Sequence, residues 1–321
     1  MTRLRAIPAF IAIAALAASS ACSSGPNPVP ASPSPSVPIS ASLDPITVTG
    51  ERLAVPKIEF ATPFTVDKTL SKVLVEGDGA TIDPNGVVVV FYYGVNGRTG
   101  ERFDDNFTAV EGTEAVPASF SLNAVIPGFR TGLGGQKIGS RVLVAMPGSE
   151  AYDSSGGNSN AGIAVGDSLV FVADIVGGSL PGPEGKAVEP PADLPKVSEN
   201  AGSVEITIPD TAPPTKLVTQ TLIEGTGEKV NEGSLLASHY VAYSWKTKAE
   251  VMRVYDTTDQ GLLGSSLVGL AQGLDGQKVG SRVLLIVPPE LGFTEGSNEP
   301  PVEKGDTLVF VVDLLFAEQA Q

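Results

Sequence analysis

The chain has 321 residues, a net charge of −15 and a sequence pI near 4.5, with one cysteine and one histidine. It contains no cluster of Lys and Arg that could neutralise a phosphate backbone, so nucleic-acid binding is not expected. The single cysteine, Cys22, excludes an intramolecular disulfide. The length suits two domains of ordinary size, which must be stable on their cores alone.

The first 22 residues have the order of a secretory signal. Arg3 and Arg5 supply positive charge, and the apolar run 6–18 is too short to span a bilayer about 30 Å thick. Small residues then precede Cys22, which resembles the lipobox cysteine of bacterial lipoproteins, although Ser19 stands where that family usually has Leu. The resemblance implies lipidation of Cys22 and a lipid anchor on the bacterial cell membrane, outside the cytoplasm. The alternative is an ordinary secreted protein with an unmodified cysteine.

Two stretches rich in Pro, Gly and small residues divide the remainder. Residues 23–42 cannot bury a core and are expected to form an extended tether. Residues 178–202 begin with GSLPGPEGKAVEPPADLP and are interpreted as an interdomain linker. These stretches predict one domain over 43–177 (domain 1) and a second over 203–321 (domain 2).

The two predicted domains repeat one sequence. KVLVEGDG (72–79) corresponds to QTLIEGTG (220–227), GLGGQKIGSRVLVAMP (132–147) to GLDGQKVGSRVLLIVP (273–288), and GDSLVFVADIV (166–176) to GDTLVFVVDLL (305–315). The order and the offset are kept throughout, which indicates tandem copies of one domain.

Each copy is predicted to be mainly β. In the first copy, residues 87–93, 141–145 and 168–174 are β-branched or aromatic runs bounded by Gly, Pro and Asp. A single short helix is expected around 127–135, where four glycines make the intrinsic propensity poor. The pattern predicts an α+β fold in which a sheet wraps around one helix.

The order of motifs in the first copy resembles the FKBP-type peptidyl-prolyl isomerase family. The motifs are Val89–Gly94, Gly100–Asp104, Phe120-Ser-Leu, Val125–Phe129, Ala151-Tyr152 and Gly166–Phe171. The resemblance implies two tandem FKBP-like domains, each a twisted antiparallel sheet curled over one short helix, with an aromatic pocket between them.

The resemblance also implies the residues of the pocket in domain 1. The catalytic set would be Tyr92, Phe103, Asp104, Ile126, Phe129, Tyr152 and Phe171, and further substrate contacts would come from Phe120, Val125 and Ile163. Phe129 stands where the family commonly has Trp. By analogy, the Tyr152 hydroxyl and the Ile126 N–H would hold substrate carbonyls. Asp104 would face the carbonyl of the rotating bond or orient Tyr92, and a turn residue is the alternative.

Such a pocket needs no cofactor, because rotation about the bond before proline requires only that amide resonance be weakened. The lone His239 lies in Ser-His-Tyr-Val, where the family often has a structural histidine, so a Ser–His–Asp triad is not expected. With one His and one Cys, a metal site is not expected either.

The second copy keeps the frame with a poorer pocket. Its weak candidate residues are Tyr240, Tyr255, Asp256, Leu270, Phe293 and Phe310. Leu270 stands at the position of Phe129, and Phe293 stands at the position of Tyr152 and lacks its hydroxyl. The shorter spacing after Tyr255-Asp256 predicts loss of the strand that carries Phe120 in the first copy. A binding or structural module is favoured over a second isomerase of altered specificity.

The leading hypothesis is a monomeric, lipid-anchored isomerase that acts on proline-containing exported polypeptides. The rival is a non-catalytic lipoprotein that uses the same fold to bind peptides or act as a chaperone. A third hypothesis is a purely structural envelope lipoprotein. Fold alone does not decide between these three.

Overall fold

The computed structural model describes residues 38–109, 113–200 and 203–319, except for the side chains of residues 256 and 257. The predicted signal, Cys22 and most of the predicted tether lie outside this range. Within it, no helix is both long enough and apolar enough to cross a membrane.

Domain 1 is an antiparallel sheet preceded by a small hairpin. The hairpin pairs Val48 with Ile58. The elements are β1 (Thr47–Thr49), β2 (Lys57–Glu59), β3 (Leu70–Val75), β4 (Val87–Asn96), β5 (Arg102–Asp105), β6 (Ala118–Ser121), α1 (Pro127–Leu133), β7 (Arg141–Met146) and β8 (Leu169–Gly178). The sheet order is β3-β7-β8-β4-β5, and β6 lies beside β4 on the same edge as β5.

Domain 2 repeats this arrangement with one added edge strand. The elements are β9 (Gly185–Ala187), β10 (Lys196–Asn200), β11 (Ser203–Thr207), β12 (Val218–Gly225), β13 (Ser234–Ser244), β14 (Glu250–Leu262), α2 (Val268–Leu274), β15 (Arg282–Val287) and β16 (Leu308–Gln319). The sheet order of domain 2 is β14-β13-β16-β15-β12-β9, and β10 and β11 form the equivalent hairpin. Short 3₁₀ turns occur at Gly148–Glu150, Asp153–Ser155, Ser159–Ala161, Leu263–Ser265 and Pro289–Leu291. The predicted α+β class with tandem sheets, each curled over one helix, is confirmed.

Glycines let each helix pack closely on its sheet. A Cβ on Gly128 would collide with Met146, and one on Gly132 would collide with Val144, both on β7. Pro127 starts α1, where its missing N–H costs no helical hydrogen bond. The glycines that weaken the intrinsic helix propensity therefore allow the contact that stabilises the helix.

Both faces of each sheet are covered, which explains why the central strands are continuous apolar runs. In domain 1 the face toward α1 holds one core, and the opposite face packs against the segment that contains β1 and β2. This second core, the outer cluster of domain 1, is formed by Leu43, Ile46, Phe64, Val66, Val95, Leu143, Ala145, Val170 and Val172. Domain 2 has an outer cluster of the same kind, formed by Val204, Ile206, Ile208, Val241, Trp245, Leu284, Ile286, Val309 and Val311.

A buried ion pair joins sheet and hairpin in each domain. Arg141 donates to both carboxylate oxygens of Asp174 over 2.6 and 2.8 Å and to the carbonyls of Gly50 and Ala54 between β1 and β2. In domain 2, Arg282 pairs with Asp313 in the same geometry and also donates to Glu199 on β10. The hairpins are thus fixed to the sheets by charge as well as by apolar packing.

Most of the predicted linker, from Leu180 to Asn200, is built into domain 2, whereas Gly178 ends β8 and Ser179 is hydrogen-bonded to Val87 in domain 1. β9 pairs with β12 in antiparallel register, and β10 belongs to the hairpin over the outer cluster. The Leu180 N–H donates to the Leu315 carbonyl and the Glu184 N–H to the Gly280 carbonyl. The Pro- and Gly-rich composition therefore corresponds to a connection whose backbone is hydrogen-bonded to domain 2.

Candidate functional site

A cavity of about 360 Å³ lies between α1 and the sheet of domain 1. It is lined by Tyr92, Phe103, Asp104, Phe120, Ala124, Val125, Ile126, Phe129, Tyr152 and Phe171. Of the predicted pocket residues, only Ile163 is not in the lining: it is buried in the adjoining core. Ala124 was not predicted, since its small side chain carries no signal beyond its place before Val125-Ile126.

Each wall of the cavity comes from a different element. Tyr92 lies on β4, Phe103 and Asp104 on β5, and Phe171 on β8, so the sheet supplies one side. The other residues come from outside the central strands: Phe120 from the short strand β6, Phe129 from α1, and Tyr152 from between two 3₁₀ turns. The fold brings together motifs that are far apart in the sequence.

The aromatic rings meet edge to face. Phe129 and Phe171 have centroids 4.6 Å apart at 79°, and Phe103 meets Phe171 at 5.4 Å and 88°. Phe120 meets Phe129 edge to face at 6.2 Å and packs on Tyr92 in a tilted arrangement at 5.8 Å and 59°. These are favourable aromatic geometries, and they fix the positions of the apolar walls.

Gly94 makes room for two of these rings. A Cβ at this position would lie 2.7 Å from both Phe103 Cζ and Phe171 Cε1. Gly94 follows Tyr92 by two residues on β4, so it lies on the same face of the sheet, where its lack of a side chain leaves room for Phe103 and Phe171. Glycine at this site is required by space and not by backbone conformation.

The polar side of the cavity is formed by Tyr92, Asp104 and Tyr152. The Tyr92 hydroxyl donates to Asp104 Oδ2 over 2.8 Å. Burial, followed by this hydrogen bond, raises the pKa of Tyr92, and burial together with the charge of Asp104 raises the pKa of Tyr152. Both phenols therefore remain protonated donors at neutral pH. Among the described residues, none accepts a hydrogen bond from the Tyr152 hydroxyl.

Asn106 holds the backbone beside Tyr92, a role that the sequence analysis missed. Its Oδ1 accepts from the Tyr92 N–H over 2.7 Å, and its Nδ2 donates to the Val90 carbonyl over 3.0 Å. The side-chain amide thus continues the ladder of β4 in the gap between β5 and β6. The available signal was an Asn directly after Phe-Asp-Asp, a residue type that often bonds to nearby backbone.

The loop that carries Tyr152 is closed by local hydrogen bonds. The Gly157 N–H donates to the Tyr152 carbonyl over 2.9 Å. Asp153 Oδ1 accepts from the Gly166 N–H over 2.8 Å, which ties the two ends of the loop together. The position of the Tyr152 ring is therefore set by the loop as a unit.

In domain 2 the structure corrects the position assigned to Tyr255 and Asp256. Gly94 pairs with Asp104 in domain 1, and its equivalent Ala242 pairs with Met252. Val251 and Met252 therefore occupy the places of Phe103 and Asp104, and both pack on the core beneath α2. The sequence prediction was four residues out of register because the Tyr-Asp pair imitates the Phe-Asp motif.

Tyr255 lies on the opposite face of the sheet. It packs against the outer cluster of domain 2, donates its hydroxyl to Asp313 Oδ2 over 3.2 Å, and lies 5.3 Å from the His239 ring, centroid to centroid. His239 is buried, which lowers its pKa, and Thr258 Oγ1 is 3.4 Å from its Nε2. The side chain of Asp256 lies outside the described residues.

The strand equivalent to β6 is present in domain 2, contrary to the sequence prediction. β14 runs on without interruption, so the missing residues correspond to the loop between β5 and β6. Phe120 pairs with Val88, and its equivalent Gly261 pairs with Leu236. Domain 2 thus has the strand but no aromatic wall on it.

The remaining candidates of domain 2 pack on its inner core. Tyr240, Leu270 and Phe293 are partly buried against it, and Phe310 is fully buried within it. Three cavities on domain 2, which include Gln277, Leu222 and Gln272 respectively in their linings, contain none of these four residues.

Comparison with known proteins gives matches to one family in both domains. The family model described as FKBP-type peptidyl-prolyl cis-trans isomerase matches residues 79–176 and 227–315, together more than half of the chain. A probable FK506-binding protein of Corynebacterium glutamicum is 34% identical over 122 residues, 38% of this chain and 96% of that protein. The FK506-binding protein of Streptomyces anulatus is 34% identical over 116 residues, 35% of this chain and 94% of that protein.

Among solved structures, the three FKBP domains of wheat FKBP73 align with 79% of this chain and 96% of that chain. The sequence identity is 16% and the TM-score is 0.35.

Proposed function

The chain belongs to the FKBP-type peptidyl-prolyl cis-trans isomerase family, and from this premise we propose that the cavity of domain 1 is its catalytic site. The observation that carries the proposal is the closed set of edge-to-face rings beside the Tyr92–Asp104 hydrogen bond. The proline ring of a substrate would lie among Phe103, Phe129 and Phe171.

Catalysis at this site would act by desolvation. Rotation about the bond before proline has a barrier of about 18–20 kcal/mol, because the planar amide is stabilised by resonance. The twisted transition state has less charge separation than the planar form, so an apolar cavity favours it relative to water. Each tenfold gain in rate needs a preference of about 1.4 kcal/mol. The Tyr152 hydroxyl and the Ile126 N–H would hold carbonyls of the substrate.

Asp104 is proposed to act through Tyr92 as well as on the substrate. Its Oδ2 is engaged by the Tyr92 hydroxyl, while the carboxylate as a whole stays exposed at the cavity rim. One carboxylate can thus fix the phenol and face the rotating amide, which joins the two roles considered from the sequence.

The test is acceleration of cis-to-trans isomerisation of a short X-Pro peptide by the chain from residue 23 to 321. The double variant Asp104→Ala, Tyr152→Phe should lose the acceleration while remaining folded. Tyr240→Phe, at the position equivalent to Tyr92, is the matched control and should keep it. Equal losses in both variants, or no acceleration by the unmodified chain, would refute the assignment.

For domain 2 we propose peptide binding without catalysis. Met252 and Gly261 replace the carboxylate and the aromatic wall at positions fixed by strand pairing. If this is right, the Asp104→Ala, Tyr152→Phe variant should still suppress aggregation of an unfolded polypeptide as well as the unmodified chain does. Loss of both activities together would assign the binding to domain 1.

We also propose that the enzyme is anchored to the outside of the bacterial cell membrane through Cys22 and acts there on proline-containing exported polypeptides. The support is the order of charge, apolar run and small residues before Cys22. Cells fed labelled palmitate should label the full-length protein, and Cys22→Ser should abolish both the label and recovery in the membrane fraction. A Cys22→Ser protein that remains in the membrane fraction would contradict the anchor.

A further inference from the structure

The two domains meet through equivalent sheet faces. Val87 and Val89 of β4 pack against Ala237 of β13 and Phe316 of β16, and Val176 of β8 lies against this group. The contact is apolar and continuous with both sheets. It brings domain 2 next to the strand that forms one wall of the candidate site.

That strand, β6, is the least supported wall of the cavity. It has four residues, and within the described residues it pairs only with β4. A single short edge strand has few interactions to fix its position. Yet it carries Phe120, which contacts both Tyr92 and Phe129.

Both residues that flank Phe120 are hydrogen-bonded to domain 2. The Ser119 hydroxyl donates to Glu318 Oε2 over 2.5 Å, and Gln260 Nε2 donates to Ser121 Oγ over 3.1 Å. Successive residues of a strand point to opposite faces, so these bonds hold β6 from the side away from the cavity. We call Ser119, Ser121, Gln260 and Glu318 the β6 clamp.

A third contact supports the end of the same strand. Thr258 Oγ1 donates to Asp83 Oδ2 over 3.2 Å across the domain boundary. Asp83 begins the turn that ends at Gly86, and the Gly86 carbonyl accepts from the Leu122 N–H over 2.8 Å. Domain 2 therefore reaches β6 directly at two residues and indirectly at the residue that follows it.

We propose that domain 2 is a positioning element for the isomerase site of domain 1, with Gln260 and Glu318 as the positioning residues. The inference rests on the proposed function of the domain 1 cavity. This role does not require a pocket in domain 2. The β6 clamp holds Phe120 at the distance at which the aromatic rings of domain 1 enclose a proline.

The experiment uses the chain from residue 23 to 321 and the double variant Gln260→Ala, Glu318→Ala. For an X-Pro peptide, kcat/KM should fall about threefold to tenfold, the range expected for one or two net hydrogen bonds. The loss should be mainly in KM, because a loose wall weakens binding. The matched control is Glu295→Ala, Lys304→Ala, an exposed ion pair of domain 2. It should leave kcat/KM unchanged.

Two further readouts separate positioning from general destabilisation. Glu318→Gln keeps an acceptor for the Ser119 hydroxyl and should retain activity where Glu318→Ala does not. Amide hydrogen exchange should speed up at residues 118–121 in the double variant and stay unchanged in β7. Unchanged exchange at 118–121 would overturn the proposal, as would kcat/KM equal to that of the control pair.

The outcomes also separate this inference from the function on which it rests. If the unmodified chain shows no isomerase activity, the proposed function fails, and the exchange measurement still decides whether domain 2 holds β6. If the unmodified chain is active and the clamp variant is equally active, the function stands and the positioning role is excluded.

Discussion

The Tyr92 hydroxyl and the Asp104 carboxylate are joined by a hydrogen bond of 2.8 Å between adjacent strands. Asp104 on β5 pairs with Gly94 on β4, and Tyr92 lies two residues before Gly94 on the same face of the sheet, so the phenol reaches the carboxylate diagonally across the two strands. Charge-assisted bonds of this kind are stronger than neutral ones. The bond therefore fixes the carboxylate at the rim of the cavity without removing it from solvent.

Tyr92→Phe removes this donor and should lower kcat/KM about threefold to tenfold, because Asp104 loses its orientation while staying hydrated. The matched control is Tyr93→Phe, since the neighbouring side chain packs toward the outer cluster. Peptide isomerisation kinetics on both variants check the prediction. An equal effect of the two changes would show that the loss arises from the strand and not from the hydrogen bond.

Gly94→Ala should distort the cavity of domain 1 and destabilise the domain. The new methyl group would lie 2.7 Å from both Phe103 and Phe171, so the rings must move apart. We expect a loss of about 1–3 kcal/mol in the free energy of unfolding, typical of overpacking, and a fall of about tenfold or more in kcat/KM. Gly182→Ala, where no atom lies within 4 Å of the added Cβ, is the control and should change neither quantity.

Asp174→Ala should destabilise domain 1 strongly. The carboxylate is fully buried and pairs with Arg141, which would be left as an uncompensated buried charge. Removal of one partner of such a pair costs about 3–5 kcal/mol. Urea unfolding followed by circular dichroism measures the effect. Lys304→Ala, which breaks an exposed pair with Glu295, should leave the midpoint where it was.

The tyrosines of the folded chain should ionise at a higher pH than those of the unfolded chain. Burial is the largest cause of raised pKa values at Tyr92, Tyr152, Tyr240, Tyr243 and Tyr255. The unfolded chain, with phenols near pH 10, would ionise first, so the stability present below about pH 10 should fall as the pH rises further. Tyrosinate absorbance against pH, in native and denatured protein, tests this. Coincident titration curves would contradict it.

The sequence was sufficient to predict most of the residues that line the cavity of domain 1, because its motifs are contiguous and keep their order. Tyr92, Phe103 and Phe129 each lie within one strand or helix, so the pairing of two strands and the packing of one helix bring them together. The role of Asn106 was not predicted, because its side chain bonds to β4 in the gap between β5 and β6. That gap exists only once both have paired with β4.

The pocket residues of domain 2 were harder to predict, because a sequence motif does not determine which residues of two neighbouring strands pair. Tyr255-Asp256 has the right residue types, yet the pairing of β13 with β14 places Met252 opposite Ala242. A loop deletion and a strand deletion shorten a sequence in the same way. Only the unbroken course of β14 shows that the loop was lost and that Gly261 took the place of Phe120.

The hairpins over the outer clusters also determine where this protein can be divided. The family match begins at residues 79 and 227, after both hairpins. A fragment that begins at residue 79 would expose Leu143, Ala145, Val170 and Val172 to water. It would also expose the Arg141–Asp174 ion pair, which is buried in the whole chain. The exposed apolar face would associate with other copies of the fragment, so we expect the fragment to aggregate into inclusion bodies. A fragment that begins before Leu43 keeps this face covered and should remain soluble.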